Sequence, residues 1–182
     1  MHPQFSVYIA TSLDGFIART DGNIGWLYNF DDMSDPNEDY GYAAFTAQID
    51  CMVMGRGSFD TVQAFDDWPY EGKRVIILSN SLKKAPSGYE DKIEICTGSP
   101  AELAQQLYKK GLRHIYLDGG KVIQSFLSAG LVDDMIITQL PILIGAGLPL
   151  FGDVADDITL KLDWSRTYKN GFVQSRYEVT KH

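Results

Sequence analysis

The sequence predicts an α/β domain in which a mainly parallel central sheet is followed by a C-terminal antiparallel hairpin. Short apolar runs, most of them leading into glycine turns or helical patterns, recur from residue 5 to residue 140, as expected for parallel strands joined by helices. After residue 157 the sequence alternates on both sides of Asn170-Gly171, a dipeptide typical of hairpin turns. No linker or repeat divides the 182 residues, so we expect a single domain over residues 1–182.

The composition is that of a globular protein and argues against several functions. Hydrophobic residues make up 45% of the chain, and the net charge of −8 gives no electrostatic footprint for nucleic acid or an anionic membrane. Cys51 and Cys96 have no ligand-type spacing, so no metal site is predicted. The N-terminus lacks a signal-peptide pattern and no apolar run approaches the roughly 20 residues of a membrane span, which predicts a cytoplasmic protein.

The first strand, Phe5 to Thr11, leads into a turn that carries Asp14 and Gly15. Residues 19–37 then form a long segment with few periodic apolar positions, a type of loop that often covers a ligand. Two interpretations are open for its aromatic side chains, Trp26 to Phe30. They cover a planar ligand, or they are packed into the core.

A helical pattern begins near residue 37 or 38 and places Tyr42, Phe45 and Ile49 on one face. Asp39 lies in the first turn of this helix. A carboxylate in that position interacts favourably with the helix dipole, which is a sufficient reason for its presence. A chemical role for Asp39 is the alternative.

The next strand, residues 51–54, is followed by a glycine turn that contains an arginine. Gly55-Arg56-Gly57-Ser58 leads into a second helical stretch over residues 59–65, so the pattern of strand, glycine turn and helix is repeated. The guanidinium group forms paired hydrogen bonds that match a phosphate. Phosphate binding at this turn is therefore a reasonable hypothesis, although the short motif is weak by itself.

Two more strands and a capped helix follow. Residues 74–78 form a fully apolar run typical of a parallel strand, and Ser79-Asn80 comes directly after it. These two side chains are able to bind a ribose or phosphate at the strand end, or only to form a turn. Residues 93–96 form another strand, and Ser99 is the expected N-cap of a helix over residues 101–110.

A glycine pair separates the strand at residues 114–117 from the next helical pattern. Gly119 and Gly120 allow a ligand close to the backbone, and the amides of the following helix suit an anion such as a pyrophosphate. The same glycines also allow a helix to pack closely on its strand. The pair alone does not separate these interpretations.

The connection over residues 141–151 is apolar and rich in glycine. It follows the strand at residues 135–140 and is difficult to solvate. We therefore expect it to pack against the sheet or against a second copy of the chain, and we predict a homodimer through this region.

The strand ends become more informative when they are considered together. In a mainly parallel sheet the carboxyl ends of the strands share one edge, which brings four glycine-rich or polar turns together. A dinucleotide is the kind of ligand that would contact all of them. The sequence contains no GxGxxG fingerprint and no Walker lysine motif, which disfavours a standard Rossmann dehydrogenase or a phosphoryl transferase.

The motifs resemble those of the dihydrofolate reductase-like superfamily. The resemblance covers nearly the whole chain and is closest to the reductase domain of riboflavin biosynthesis. It implies a three-layer fold with about eight strands in the central sheet. The motifs that carry it are Ser12-Leu13-Asp14-Gly15, Met54-Gly55-Arg56, Leu78-Ser79-Asn80, Asp118-Gly119-Gly120, Gly130 to Asp134 and Pro141 to Gly147.

The resemblance also implies that NADPH lies across the strand ends and delivers a hydride. Ala10 and Ile17 would flank the nicotinamide, and Trp26 and Tyr42 would contact the substrate. Gly55, Arg56 and Ser58 would bind the phosphates, and Leu78, Ser79 and Asn80 the adenosine ribose with its 2′-phosphate. Gly119, Gly120, Lys121 and Val122 would bind the pyrophosphate.

Three acids are candidates for the proton source. Asp39 lies sixteen residues before Gly55, the spacing of the helix acid in dihydrofolate reductases. Asp14 and Asp118 are the candidates from the riboflavin-type enzymes. Phe16 stands where those enzymes commonly carry a basic residue, so the resemblance leaves the substrate open among pteridine-, folate- and pyrimidinone-like rings.

The resulting prediction is an NADPH-dependent reductase of a small planar heterocycle. Two other interpretations compete with it. One is a non-catalytic nucleotide-binding or sensor module on the same fold, and the other is a purely structural interaction domain. Cofactor binding and turnover assays distinguish the three.

Overall fold

Strands and helices alternate along residues 1–180, the part of the chain that the computed structural model describes. The strands are β1 (Gln4–Ser12), β2 (Phe16–Ala18), β3 (Cys51–Gly55), β4 (Arg74–Leu78), β5 (Ile93–Cys96), β6 (His114–Asp118), β7 (Asp134–Leu140), β8 (Leu148–Pro149), β9 (Leu160–Thr167) and β10 (Val173–Val179). The α-helices are α1 (Tyr42–Thr46), α2 (Arg56–Val62), α3 (Pro100–Lys109) and α4 (Gly120–Ser128).

The central sheet has eight strands in the order β5-β4-β3-β6-β1-β7-β10-β9. The strands from β5 to β7 are parallel, and β10 and β9 complete the sheet in antiparallel orientation. This topology confirms the mainly parallel sheet with a C-terminal hairpin. The small antiparallel pair β2 and β8 was not predicted, because its strands have only three and two residues.

The core has a layer on each face of the sheet, because successive side chains of a strand point to opposite faces. On one face Leu117 of β6 packs in a cluster with Ile123 and Phe126 of α4. On the other face Tyr116 packs with Phe45 of α1 and Phe59 of α2. Helices therefore cover both faces, and the predicted three-layer arrangement is confirmed.

The first two α-helices begin at residues other than the predicted ones, because the backbone conformation before each helix sets where it starts. The first helix begins at Tyr42 and not near residue 37, because Tyr40 and Gly41 both have left-handed φ angles, 57° and 83°. The second begins at Arg56, three residues earlier than predicted, directly after the extended Gly55. Ser99 caps α3 as predicted, with its side chain accepting a hydrogen bond from the Glu102 amide.

The long segment before α1 is more ordered than the sequence indicated. Gly25–Met33 forms a 3₁₀ helix, and its Trp26 and Phe30 are buried in a cluster with Leu140 and Phe172. Burial of these two rings fixes the segment over the end of the sheet. None of the helices formed by residues 1–180 is long and apolar enough to cross a membrane.

Candidate functional site

The predicted cofactor residues lie along one edge of the sheet. The strands β4, β3, β6 and β1 are neighbours and parallel, so their carboxyl ends are adjacent. Gly55 is in register with Leu78, and Met54 is in register with Asp118. The expectation that these strand ends share an edge is confirmed, and we call this region the glycine edge.

The start of α4 is the most constrained part of the glycine edge. Gly119 has φ 87° and ψ 137°, and a Cβ atom on it would overlap the Ser58 hydroxyl. A Cβ atom on Gly120 would lie 2.9 Å from the Pro149 carbonyl oxygen. The close-packing interpretation of the glycine pair is therefore supported.

The same helix start also presents unused hydrogen-bond donors. The amides of Gly120, Lys121 and Val122 have no acceptor within residues 1–180, as is usual for the first turn of a helix. They lie at the positive end of the helix dipole, which favours an anion. Packing and anion binding are thus compatible at this site.

Arg56 and Ser58 lie beside this helix start but are already engaged. The Arg56 Nε atom is 2.6 Å from the Asp60 carboxylate, and both side chains are largely exposed. Ser58 donates a hydrogen bond to Asp118. Arg56 has to leave Asp60, or share its guanidinium group, before it binds a phosphate.

Ser79 and Asn80, the residues predicted to bind a ribose at the end of β4, have different roles in the structure. The buried Ser79 hydroxyl accepts hydrogen bonds from the amides of Ser81 and Leu82, so it stabilises the turn. Asn80 is exposed, and its carbonyl oxygen accepts a hydrogen bond of 2.6 Å from Lys83 Nζ. Lys83 is a cation at this end of the edge that the sequence analysis missed, although the adjacent Lys83-Lys84 pair was a usable signal.

Asp39 and Asp14 have structural roles in the positions where they lie. The exposed Asp39 carboxylate accepts hydrogen bonds from the Gly41 and Ala43 amides, which lower its pKa. Asp14 is also exposed and accepts bonds from the Ile144 and Gly145 amides. Its pKa is lowered by Ser12 first and then by these amides. Such acids retain their charge and are poor proton donors.

Asp118 has the opposite properties. It is partly buried at the end of β6, and burial raises its pKa from 3.8 to about 6, despite the hydrogen bonds from Ser58 and the Gly119 amide. Its negative charge in turn raises the pKa of Tyr42, for which burial is the larger cause. Of the three predicted acids, Asp118 is the one suited to donate a proton near neutral pH.

A pocket of about 540 Å³ lies on the same face of the sheet as Asp118, which is not among its lining residues. Its floor comes from β1, β7 and the residue before β10. The pair Tyr8 and Tyr42, whose ring centroids are 5.3 Å apart, connects the floor to the surroundings of Asp118. The floor residues are Tyr8, Ala10, Thr138, Leu140 and Phe172.

The segment from residue 27 to residue 40 covers the pocket. Tyr28 is 57% exposed and is the aromatic side chain of this cover that is free to contact a ligand. Trp26 is only 2% exposed and does not line the pocket, so direct contact of Trp26 with a substrate is not supported. The cover residues are Leu27, Tyr28, Asp31, Ser34, Asp35, Pro36, Glu38 and Tyr40.

Two buried side-chain amides, those of Gln174 and Asn170, hold the floor and the cover of the pocket in place. Gln174 donates hydrogen bonds to Thr138 Oγ1 at 2.9 Å and to the Tyr8 hydroxyl at 3.2 Å. Asn170, in the β9–β10 turn, donates to the hydroxyls of Ser34 and Tyr40. Because Gln174 and Asn170 are almost fully buried, these contacts make the pocket a preformed one.

The remaining predicted residues, Ala10, Ile17 and Tyr42, lie in the pocket or close to it. Ala10 lines the pocket, while Ile17 packs beside Gly120 and connects the pocket to the glycine edge. Tyr42 is half-buried behind Tyr8 and does not line the pocket. Most of the cover belongs to residues 19–37, the segment expected to cover a ligand. Nothing in the sequence indicated Tyr8 and Thr138, because they belong to segments far apart in the chain.

Comparisons with known proteins agree with the fold. The family model of the RibD C-terminal domain matches residues 3–174. The uncharacterized protein YyaP of Bacillus subtilis (strain 168) is 32% identical over 178 residues, which cover 93% of this chain and 91% of YyaP.

Solved structures give the same result. A crystal structure from Shewanella sp. PV-4, of a provisionally assigned riboflavin biosynthesis protein, is 39% identical, with a TM-score of 0.91 and full coverage of both chains. The Thermotoga maritima diaminohydroxyphosphoribosylaminopyrimidine deaminase/5-amino-6-(5-phosphoribosylamino)uracil reductase is 16% identical. Its TM-score is 0.74, over 98% of this chain and 57% of that chain, and this likeness concerns the fold alone. The resemblance to riboflavin-type reductases on the dihydrofolate reductase-like fold is confirmed.

Proposed function

Because this chain belongs to the RibD C-terminal domain family, we propose that it is an NADPH-dependent reductase of a small planar heterocycle. The observation that carries the proposal is the arrangement of the glycine edge, the raised-pKa acid Asp118 and the preformed pocket on neighbouring strands of one sheet. The family relationship supports reductase chemistry, and the site geometry supports the cofactor and the acid.

The glycine edge fits a dinucleotide phosphate. Side chains are excluded at Gly119 and Gly120, and the free amides of Gly120 to Val122 are available to the pyrophosphate. Arg56 and Lys83 would add positive charge at the neighbouring strand ends. NADPH held by these residues would supply a hydride for an electrophilic carbon of the substrate.

Asp118 would supply the matching proton. Transfer of a hydride to a ring C=N or C=C bond leaves a negative charge on the adjacent atom, which takes up one proton. A carboxyl group with a pKa of about 6 is partly protonated at neutral pH. After the transfer Ser58 and the Gly119 amide stabilise the carboxylate, and a solvent proton restores the acid.

The experiment titrates the chain with NADPH and NADH separately and records tryptophan fluorescence. NADPH oxidation is then followed over a panel of folates, pteridines and pyrimidinones. We expect saturable binding that favours NADPH and oxidation with at least one member of the panel. Failure of both nucleotides to bind would refute the cofactor proposal, whereas binding without oxidation would favour a non-catalytic nucleotide-binding module.

We also propose a homodimer and a cytoplasmic location. Leu143, Leu148 and Phe151 of the connection after β7 are 69%, 43% and 47% exposed, which makes an apolar surface suited to a second copy. Sedimentation velocity should give twice the mass of the 20.3 kDa chain, and a monomer at micromolar concentration would contradict the dimer. The unpaired Cys51 and Cys96 are compatible with a reducing compartment.

A further inference from the structure

The pocket carries charge of one sign. Asp31, Asp35 and Glu38 belong to its cover, and within residues 1–180 no lysine, arginine or histidine lines it. All three acids are exposed at the rim and form no salt bridge with another described residue. None of the three carboxylates therefore forms a direct ion pair with a cation of the described chain.

These carboxylates also retain free acceptor atoms. One oxygen of Asp35 accepts a hydrogen bond from the Asn37 amide at 2.9 Å, and one oxygen of Glu38 accepts from the Tyr40 amide at 2.7 Å. The other oxygen of each, and both oxygens of Asp31, receive no hydrogen bond from the described part of the chain. The rim is thus able to accept hydrogen bonds from a ligand and repels anions.

The interior of the pocket suits a flat ring. Phe172 lies on the floor, and Tyr28 and Tyr40 belong to the cover. The volume of about 540 Å³ is within the usual range for a small-molecule site. Thr138 Oγ1 accepts from Gln174, which leaves its hydroxyl proton for an acceptor on the ligand.

We infer that the pocket selects an uncharged or cationic aminated heterocycle and discriminates against a phosphate or carboxylate tail. The inference rests on the proposed function for the location of the substrate. A phosphate group brings about −1.5 to −2 charges next to three carboxylates, while ring amino groups offer the donors that these carboxylates accept. Solvent at the rim weakens the repulsion but does not reverse its sign.

The test compares two probes with the same ring and a different charge. These are 5-amino-6-(5-phosphoribosylamino)uracil and its dephosphorylated form, titrated calorimetrically into the full chain at low ionic strength without nucleotide. We expect the dephosphorylated probe to bind at least about tenfold more tightly, because the repulsion acts on the phosphate alone. Equal affinity, tighter binding of the phosphorylated probe, or no binding of either probe would overturn the inference.

A triple variant, Asp31→Asn with Asp35→Asn and Glu38→Gln, removes the charge and keeps an oxygen for the amides of Asn37 and Tyr40. It should reduce the preference to less than about threefold, by strengthening binding of the phosphorylated probe. An unchanged preference would contradict the inference.

The matched control removes the same number of charges elsewhere. Asp153, Asp156 and Asp157 are exposed and do not line the pocket, so their replacement by Asn should leave the preference unchanged. Loss of the preference in this control would assign the effect to net charge and overturn the inference. NADPH oxidation is measured separately. A preference for the dephosphorylated probe without oxidation of NADPH would refute only the proposed function. Oxidation of NADPH without that preference would refute only this inference.

Discussion

The glycine edge and the pocket adjoin each other at β1, but they are built in different ways. The edge consists of backbone groups: the amides at the start of α4, and glycines that exclude side chains from the surface. The pocket consists of side chains from distant segments, such as Tyr8, Thr138 and Phe172, joined by buried hydrogen bonds. Its rim is acidic, whereas the edge presents helix-dipole charge and Arg56 to an anion.

This difference corresponds to two requirements of a reductase, which are binding of the cofactor and selection of the substrate. A site made from the backbone depends on the fold and tolerates changes of surrounding side chains, which suits a cofactor of fixed structure. A site made from side chains changes its selectivity when a few residues change, and the scaffold is left intact. Variants of the edge should therefore affect cofactor and stability, while variants of the pocket should affect the choice of substrate.

The largest effect is expected at Asp118, which lies on the glycine edge at the end of β6, the strand next to β1 of the pocket. Asp118→Asn removes the proton donor and should lower turnover by about 10²- to 10⁴-fold, with NADPH affinity nearly unchanged. Wild-type turnover should fall as pH rises above about 6, because the protonated acid is then depleted. Steady-state kinetics against pH measures both effects.

The matched control for Asp118→Asn is Asp39→Asn, because the carboxamide oxygen of Asn retains an acceptor for one of the two amides, Gly41 or Ala43, that the carboxylate oxygens of Asp39 bind. Its turnover should stay within about twofold of the wild type, as expected for a residue outside the proton transfer. A fully active Asp118 variant, or an inactive Asp39 variant, would assign the proton source to a group other than Asp118.

Gly119→Ala tests whether the edge is fixed by its backbone. The residue has φ 87°, and a Cβ atom would overlap Ser58, so unfolding free energy should decrease by about 3 kcal/mol. Gly57→Ala is the control, because a Cβ atom there meets nothing within 4 Å and the residue lies in α2. Denaturant titration should find Gly57→Ala as stable as the wild type or more so, and an equal loss in both variants would argue against the packing account.

Arg56→Ala tests the charged part of the edge. Loss of charge-assisted hydrogen bonds to phosphate should weaken NADPH binding by roughly 1.5 to 3 kcal/mol. Asp60→Asn is the complementary variant, since it releases Arg56 from its 2.6 Å ion pair and should maintain or improve binding. Fluorescence titration measures both, and unchanged affinity in Arg56→Ala would exclude phosphate contact.

A smaller effect is expected from the pH dependence of stability. The pKa of Asp118 is raised on folding from 3.8 to about 6, so the folded protein binds more protons between these values. The stabilisation is complete below pH 4 and is lost as pH rises through about 6. Asp118→Asn should therefore be more stable than wild type at pH 7.5 by about 1 to 2 kcal/mol, with the difference disappearing near pH 4. A variant less stable at pH 7.5 would contradict this.

The sequence predicted the glycine edge better than the pocket, for a physical reason. Parallel strands followed by glycine turns imply a shared edge, and Gly55 and Gly119 lie on it as expected. The pocket depends on which distant side chains meet. Thr138 and Phe172 gave no local signal, because their neighbours are set by the pairing of β7 with β1 and β10.

Two other predicted details, at Asp39 and Trp26, depend on structure that local sequence patterns do not show. Asp39 matched a spacing, but the left-handed Tyr40 and Gly41 delay the helix start, and the Asp39 carboxylate accepts hydrogen bonds from the Gly41 and Ala43 amides. Trp26 was one of several aromatic residues in a loop, and only tertiary packing separates it from the exposed Tyr28. Local sequence patterns do not show which of several neighbouring aromatic side chains is buried.

The central claim is that NADPH binds along the glycine edge. The most direct measurement is an amide NMR titration of the ¹⁵N-labelled chain with NADPH. We predict saturable shifts at Gly55 and at Gly119 to Val122. The amides of Arg113 and His114, at the start of β6 and the opposite edge of the sheet, should be unchanged. Saturable shifts confined to that opposite edge, or no saturable shifts at all, would contradict it.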